Sequence, residues 1–328
     1  MRAPGFWSGG GGVLPLLLSP FAAAYAGVTA RRMARPGWKA PVPVICCGNA
    51  TAGGAGKTTL ALDIGQRLHA RGVAAHFLLR GYGGSLSGPV QVDPARHTVR
   101  EVGDEALILA QQQPTWVAAN RAAGARAAVA AGAQAIVMDD GLQNPTLQKD
   151  LSLLTIDGSY GFGNGRCIPA GPLREPVAAA AARCQAAVLI GPDETGALAE
   201  LPPGLPVLEA RLVSGPEAAA LAGRPVFAFC GIANPSKFFA TLIEAGAQLA
   251  GRAAFADHYP YDEGDMEALL KEAAALRAIP VTTRKDIVRV PPRFRAAVTV
   301  VTIRLEWADP AGIERLLEAT LQPALASA

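Results

Sequence analysis

A lysine, two threonines and a set of glycines stand at a spacing that suits phosphate. The run Val44-Ile-Cys-Cys-Gly-Asn-Ala-Thr-Ala-Gly-Gly-Ala-Gly-Lys-Thr-Thr59 passes from an apolar stretch through Gly53, Gly54 and Gly56 into a helical one. Glycines there let successive backbone N–H groups converge on a β-phosphate at a helix N-terminus. Lys57 can then reach the β- and γ-oxygens, and the Thr58 hydroxyl can meet Mg2+. Residues Thr51, Ala52, Gly53, Gly54, Ala55, Gly56, Lys57, Thr58 and Thr59 are therefore expected to hold a nucleotide. The strict pattern asks for Gly where Thr51 stands, although Thr still permits a turn. The plainer alternative is an ordinary glycine-rich bend between strand and helix.

A second run, Ala135-Ile-Val-Met-Asp-Asp-Gly-Leu-Gln-Asn144, is an apolar stretch that ends in two carboxylates. A buried strand that delivers an acid to the metal of a bound nucleotide has this form. Alone, Asp-Gly reads equally as a turn. Beside the phosphate loop, Asp139 or Asp140 becomes the expected Mg2+ partner together with Thr58.

Elements must hold these groups in place. Short apolar runs alternate with Ala- and Leu-rich helical stretches, the pattern of a parallel sheet covered by helices on both faces. Strands are expected near Val42–Cys47, Val73–Leu79, Thr115–Ala119, Ala135–Met138, Leu151–Ile156, Ala186–Ile190 and Val207–Ala210. Helices are expected near Lys57–Arg71, Arg121–Ala131 and Pro176–Ala182. After a Gly/Pro/Ala-rich stretch, a second series follows: Val226–Cys230, Pro235–Ala245, a helix near Asp262–Leu276, Pro280–Thr283 and Val298–Leu305. The 328 residues suit about two domains. The expected fold is α/β: a P-loop NTPase-like core over 39–214, a smaller C-terminal α/β domain over 215–328, and an apolar helical segment over 1–38.

The charge balance, 30 Lys and Arg against 27 Asp and Glu, falls far short of what a polynucleotide binder carries, so no nucleic-acid partner is expected. Five cysteines without CxxC spacing support neither a disulfide framework nor a zinc site. Between Arg2 and Arg31 there is no Asp, Glu, Lys or Arg. A cleaved signal peptide, a spanning helix and a segment lying in the interface all fit such a stretch. Arg31, Arg32, Arg35 and Lys39 follow the apolar run, whereas a secretory signal wants its positive charge in front. Pro15 and Pro20 weaken a true span. A body held at a membrane as a peripheral or monotopic protein is the favoured expectation.

Further segments follow in a recognisable order: Arg80-Gly-Tyr-Gly-Gly84, Gly103-Asp-Glu105, Asn120-Arg121, Gly163-Asn-Gly165, Pro169-Ala-Gly-Pro-Leu-Arg-Glu-Pro176, Cys230-Gly-Ile-Ala-Asn-Pro235, Asp257-His258 and Thr282-Thr-Arg-Lys-Asp286. With the loop and the acid pair, this set resembles the tetraacyldisaccharide 4′-kinases, the lipid A 4′-kinases, over most of the chain. Thr51 is what that family looks like at its position. The resemblance implies phosphoryl transfer from ATP, with Mg2+, to the 4′-hydroxyl of a tetraacylated glucosamine disaccharide 1-phosphate. The product would be lipid IVA, made on the cytoplasmic face of the inner membrane with no obligatory protein partner.

That similarity also puts Asp104 in the place of the base and His258 beside it as an orienting or proton-sharing group. Lys57 and Arg121 complete the implied catalytic set. Arg121 and Arg174 suit phosphate oxygens because a guanidinium fork stays charged and binds bidentately. Tyr82 could pack on a sugar or reach a phosphate, and Glu105 could position metal or substrate. Plainer readings stand beside these: a helix-start acid for Asp104, a solvated helix charge for Arg121, a turn aromatic for Tyr82 and an exposed acid for Glu105. Three departures from the family pattern are Thr59 for Pro, Asn144 for His and Arg284 for Glu. The runner-up is a membrane-associated partitioning ATPase, but Ala52 replaces the signature lysine of its loop. A third reading is a nucleotide-binding scaffold that transfers no phosphate.

Overall fold

A computed structural model describes residues 4–9 and 12–325. Residues 1–3, 10 and 11 of the expected apolar segment, and 326–328 of the expected C-terminal domain, lie outside the described residues. The N-terminal run forms α1, Val13–Met33, continuous through Pro20. The rest of the chain builds two sheets.

The larger sheet holds β1 (Val44–Gly48), β2 (Ala75–Leu79), β3 (Val90–Gln91), β4 (Thr115–Val117), β5 (Ala135–Asp139), β6 (Leu151–Asp157), β7 (Ala186–Ile190) and β8 (Val207–Ser214), joined at the end of the chain by a ninth strand. Strands β1, β2, β5 and β7 are buried along their whole length. Continuous apolar strands of this kind belong to parallel sheets covered on both faces. Helix α2 (Lys57–Ala70) follows β1, and α3 (Val99–Val102), α4 (Asp104–Ala110), α5 (Arg121–Ala130) and α6 (Val177–Ala181) follow in turn. Leu60, Ile64 and Leu68 of α2 and Leu107 of α4 fill one face of the sheet. Ala125 and Ala128 of α5 and Ala180 of α6 fill the other.

After α7 (Pro216–Ala219) the chain forms the smaller sheet from β9 (Pro225–Cys230), β10 (Gln248–Ala254), β11 (Ile279–Thr283) and β12 (Thr299–Val301). Its order is β10-β9-β11-β12 and every pairing is parallel. Residues alternate strictly along β9: Phe227 and Phe229 face Met266 and Leu269 of α9 (Glu263–Ala275), and Val226 and Ala228 face Phe238 and Leu242 of α8 (Pro235–Glu244). A short helix, α10 (Arg284–Ile287), follows β11 directly.

The apolar run Val298–Leu305, expected as one strand, is two. Val301 pairs with Thr283 in the small sheet, whereas Ile303 pairs antiparallel with Ser214 in the large one. Thr302 is the crossing point: its carbonyl accepts from Gly215 N–H at 2.8 Å and its N–H donates to the Glu217 carboxylate. The ninth strand of the large sheet is thus β13 (Ile303–Trp307), and α11 (Pro310–Leu325) lays Ile313, Leu317 and Leu321 against the α2 face. Residues 303–325 of the expected 215–328 unit therefore return to the larger sheet. Full strand order is β13-β8-β7-β6-β1-β5-β2-β4-β3. Because β1, β5 and β6 lie side by side, the loops at their C-terminal ends converge, where ligands bind in open α/β sheets.

Candidate active site

Two clusters of polar side chains form at that edge. The first surrounds the loop between β1 and α2. Gly56 caps α2 with φ +80°, a conformation that favours glycine. Among the described residues, the N–H groups of Gly53 to Gly56 meet no protein acceptor. Lys57 lies back over the loop, donating to Asn49 Oδ1 at 3.0 Å and to the Gly53 carbonyl at 3.1 Å. Its ammonium is 3.7 Å from Asp140. Burial pulls the Lys57 pKa down against the pull of Asp140. Thr51, at the position where the strict pattern has Gly, is buried, accepts from Asn49 Nδ2 at 3.0 Å and bridges to Leu173. Ala52 N–H donates to the Pro172 carbonyl, and Arg174 N–H to the Ala50 carbonyl, each at 2.7 Å. The loop thereby gains a short strand-like edge that a Gly would not help to hold.

The two adjacent acids have opposite environments. Asp139 ends β5, and its Oδ2 accepts from Thr58 at 2.7 Å, while the buried Oδ1 has no partner among the described residues. Burial pushes its carboxyl up to about 6. Asp140 follows with φ +56° and meets Arg174 Nη1 at 2.6 Å. Burial raises it too, but Lys57 and Arg174 more than offset that and hold it below the ordinary value. Arg121, expected at the start of a helix, is there, capped by Asn120. It is buried, not solvated, and donates to the Ala118 carbonyl. Burial lowers its pKa to about 10, with Asp140 and Asp139 acting the other way.

The second cluster joins the two sheets. Asp104 opens α4, is 2% exposed, and meets His258 Nδ1 at 2.8 Å through Oδ2. Its Oδ1 accepts from Glu105 N–H at 3.0 Å. Burial raises the Asp104 carboxyl, but hydrogen bonds from His258 and Glu105, with the Lys285 charge, hold it well below the usual carboxylate range. The same bond raises His258. Glu105 meets Lys285 at 3.3 Å and is pushed up to about 7, first by burial and then by Asp104. The Lys285 charge acts on Asp104 and Glu105 and also on Lys57 and Asp139, so both clusters share one field.

Tyr82 belongs to neither cluster: it stands 79% exposed on the turn after β2, without a side-chain hydrogen bond among the described residues. The structure adds groups given no role from the sequence. Gln143 Nε2 donates to the Asn49 carbonyl and to Glu175, both at 2.9 Å, which ties the acid turn to the phosphate loop. Arg183 holds Glu175 from the other side at 2.6 Å. Asn49, Gln143, Glu175 and Lys285 all lie inside the ordered segments quoted above, which was the available signal. Asn144 shapes a local turn, accepting from Thr146.

The family model described as Tetraacyldisaccharide-1-P 4'-kinase matches residues 14–322. The chain belongs to that family. A tetraacyldisaccharide 4'-kinase of Gluconacetobacter diazotrophicus is 58% identical over 325 residues, 99% of each chain. One from Rhodospirillum rubrum is 54% identical over 97% of each chain. The crystal structure of LpxK from Aquifex aeolicus in complex with ATP superposes with a TM-score of 0.76 at 24% identity, covering 94% of this chain and 99% of that one. The resemblance carried by the ordered segments is borne out, and the family fold is the one described here: mixed α/β, its large sheet mostly parallel, with an apolar helix at the N-terminus. A family match of this extent leaves the partitioning ATPase without support.

Proposed function

We propose that the chain transfers the γ-phosphoryl group of ATP to the 4′-hydroxyl of a tetraacylated glucosamine disaccharide 1-phosphate, giving lipid IVA for lipid A synthesis. The observation that carries this reading is the buried Asp104 carboxylate, met at 2.8 Å by the half-exposed imidazole of His258, with the Lys285 charge acting on both Asp104 and the loop lysine Lys57. A phosphoryl acceptor that is an alcohol needs such a proton acceptor beside the phosphate site.

In this reading the free N–H groups of Gly53–Gly56 cradle the β-phosphate, and Lys57 moves from Asn49 onto the phosphate oxygens. Thr58 and Asp139 would hold Mg2+, with Asp140 beside them; the orphaned, buried Asp139 Oδ1 fits that demand. When bound, Mg2+ supplies charge neutralisation at the phosphate oxygens. Arg121 and Arg174 stabilise charge on the transferring group. The Asp104–His258 pair takes the hydroxyl proton, and Glu105 and Tyr82 face the sugar. Residues 39–214, joined by the returning 303–325, act as the core, and the smaller unit between them closes the site by carrying His258 to Asp104. Helix α1, with Arg31, Arg32 and Arg35 at its end, lies at the cytoplasmic face of the inner membrane as a monotopic anchor.

Purified chain is incubated with γ-labelled ATP, Mg2+ and the tetraacyldisaccharide 1-phosphate in detergent. Label in the lipid is the expected result. ATP hydrolysis without labelled lipid would overturn the proposal.

A further inference from the structure

The imidazole that meets Asp104 sits on an unusual turn. His258 has φ +59°, a left-handed conformation that non-glycine residues keep only where their surroundings impose it. Its N–H donates to the Gly231 carbonyl at 3.0 Å. Behind that turn lies Arg289, whose side chain is 3% exposed. Its Nη1 donates to the same Gly231 carbonyl at 2.9 Å and to the Tyr259 carbonyl at 3.3 Å. Its Nε donates to the Lys285 carbonyl at 3.0 Å, fixing the guanidinium to α10.

The guanidinium is anchored in turn. Nη2 lies 3.3 Å from Asp286, a fully buried carboxylate that accepts from Gly231 N–H at 2.7 Å, from the Tyr261 hydroxyl at 2.8 Å and from Thr283. Gly231 is therefore held at both its N–H and its carbonyl. The Arg289 Nε also stands 3.9 Å from Asp104 Oδ2, the oxygen that His258 engages. One buried cation thus touches the turn that carries the imidazole and the carboxylate the imidazole meets.

We propose that Arg289 is a positioning residue for the His258–Asp104 pair, gripping the carbonyls of Gly231 and Tyr259 so that the His258 turn presents its Nδ1 to Asp104. The role rests on the reading of that pair as the proton acceptor. Nη1 serves both carbonyls while Nε holds the Lys285 carbonyl and Nη2 faces Asp286, three nitrogens in one rigid plane that a guanidinium supplies and a lysine ammonium does not. No hydrogen bond runs from Arg289 to the phosphate loop among the described residues, so the grip is separate from nucleotide binding.

The test uses the full chain in detergent with Arg289→Lys and Arg289→Met. Thermal unfolding, kcat, KM for ATP and the low-field proton resonance of the His258 Nδ1–H are measured, the resonance assigned by its loss in Asp104→Asn. In both variants kcat falls at least about tenfold, as a misplaced catalytic group requires. KM for ATP stays within about twofold, because binding of the nucleotide is untouched. The His258 resonance weakens or disappears. A folded variant that keeps kcat and the resonance overturns the proposal, as does a wild-type chain without such a resonance. Where Arg289→Met does not fold, Arg289→Lys decides. If the wild type transfers no phosphate, the resonance alone tests the grip, so this inference and the proposed activity fail separately.

Discussion

Four carboxyls around the site fall into two electrostatic states because their surroundings differ. Asp104 is held ionised by donors and cations, Asp140 by Lys57 and Arg174, whereas Asp139 and Glu105 are pushed up to about 6 and about 7 by burial. A strongly stabilised Asp104 is a poor base by itself; a proton taken by the pair resides on His258, whose pKa the same bond raises above 6.5. The pair titrates as a unit. In the proposed role it can accept a proton only after the imidazolium has lost the one on Nε2, keeping the Nδ1–H shared with Asp104, so kcat/KM is expected to rise with pH, with a midpoint above 6.5. A profile flat from about pH 5.5 to about pH 8.5 would remove the pair from the proton path. Asp104→Ala and Lys57→Ala are each expected to lower kcat by at least about tenfold, read in the labelled-lipid assay. Lys57, Thr58 and the acid pair were legible in the sequence because their chemistry lies on contiguous residues. The meeting of Asp104 with His258, 154 residues apart, was accessible only through the family resemblance. Arg289 has no motif of its own, and its role comes from backbone carbonyls that no side-chain pattern encodes.

At the scale of elements, the site depends on β1 and the acid turn lying closer than side chains normally allow. Gly48 ends β1, and a Cβ there would stand 2.5 Å from Leu142 Cβ and 3.2 Å from Leu142 N. One of these atoms is backbone, so the clash cannot be relieved by a rotamer change. Gly48→Ala is expected to push the turn holding Asp140 and Gln143 away from the loop holding Lys57. It should cost about 1–3 kcal/mol in unfolding free energy and weaken ATP binding more than it slows turnover at saturation. Denaturant unfolding and KM for ATP check this, and an unchanged KM would show that the loop and turn tolerate separation. Strands β1, β2, β4, β5, β6 and β7 could be read from sequence because each is a mainly apolar, buried run, whereas the two-residue β3 was too short to show a pattern. The break at Thr302 could not, since β-branched residues run from Val298 to Ile303 with no turn residue among them while the pairing partner changes from β11 to β8. Strand β10 escaped because its side chains alternate between exposed and half-buried and include Gln248, Gly251 and Arg252. Helix α11 does carry a sequence signal, the four-residue spacing of Ile313, Leu317 and Leu321.

Among the described residues, exposed large apolar side chains gather on α1. Pro15, Ala22 and Thr29 are the buried residues of α1, and their seven-residue spacing puts them on one stripe against the body. Arg166 meets Ser19 at 2.8 Å on that side, and Asn164 and Pro169 hold Phe6 and Trp7 through backbone and indole hydrogen bonds. The opposite stripe is bare: Leu17 is 65% exposed, Phe21 66% and Val28 67%. The segment 163–174 that holds this helix is also the one whose Pro172 and Arg174 pair with the phosphate loop. A membrane taking the bare stripe would therefore bring the nucleotide site to the lipid in a fixed orientation. Burying a Leu, Phe or Val side chain is worth about 1.5–3 kcal/mol, so three together dominate any attraction from the arginines that follow. The triple change Leu17→Ser, Phe21→Ser and Val28→Ser is expected to lower partitioning onto anionic vesicles by at least about tenfold. Because all three side chains already face water, thermal unfolding in detergent should stay close to that of the parent. Unchanged vesicle binding would place the membrane contact elsewhere on the chain, and a large loss of stability would mean that the stripe is covered by protein.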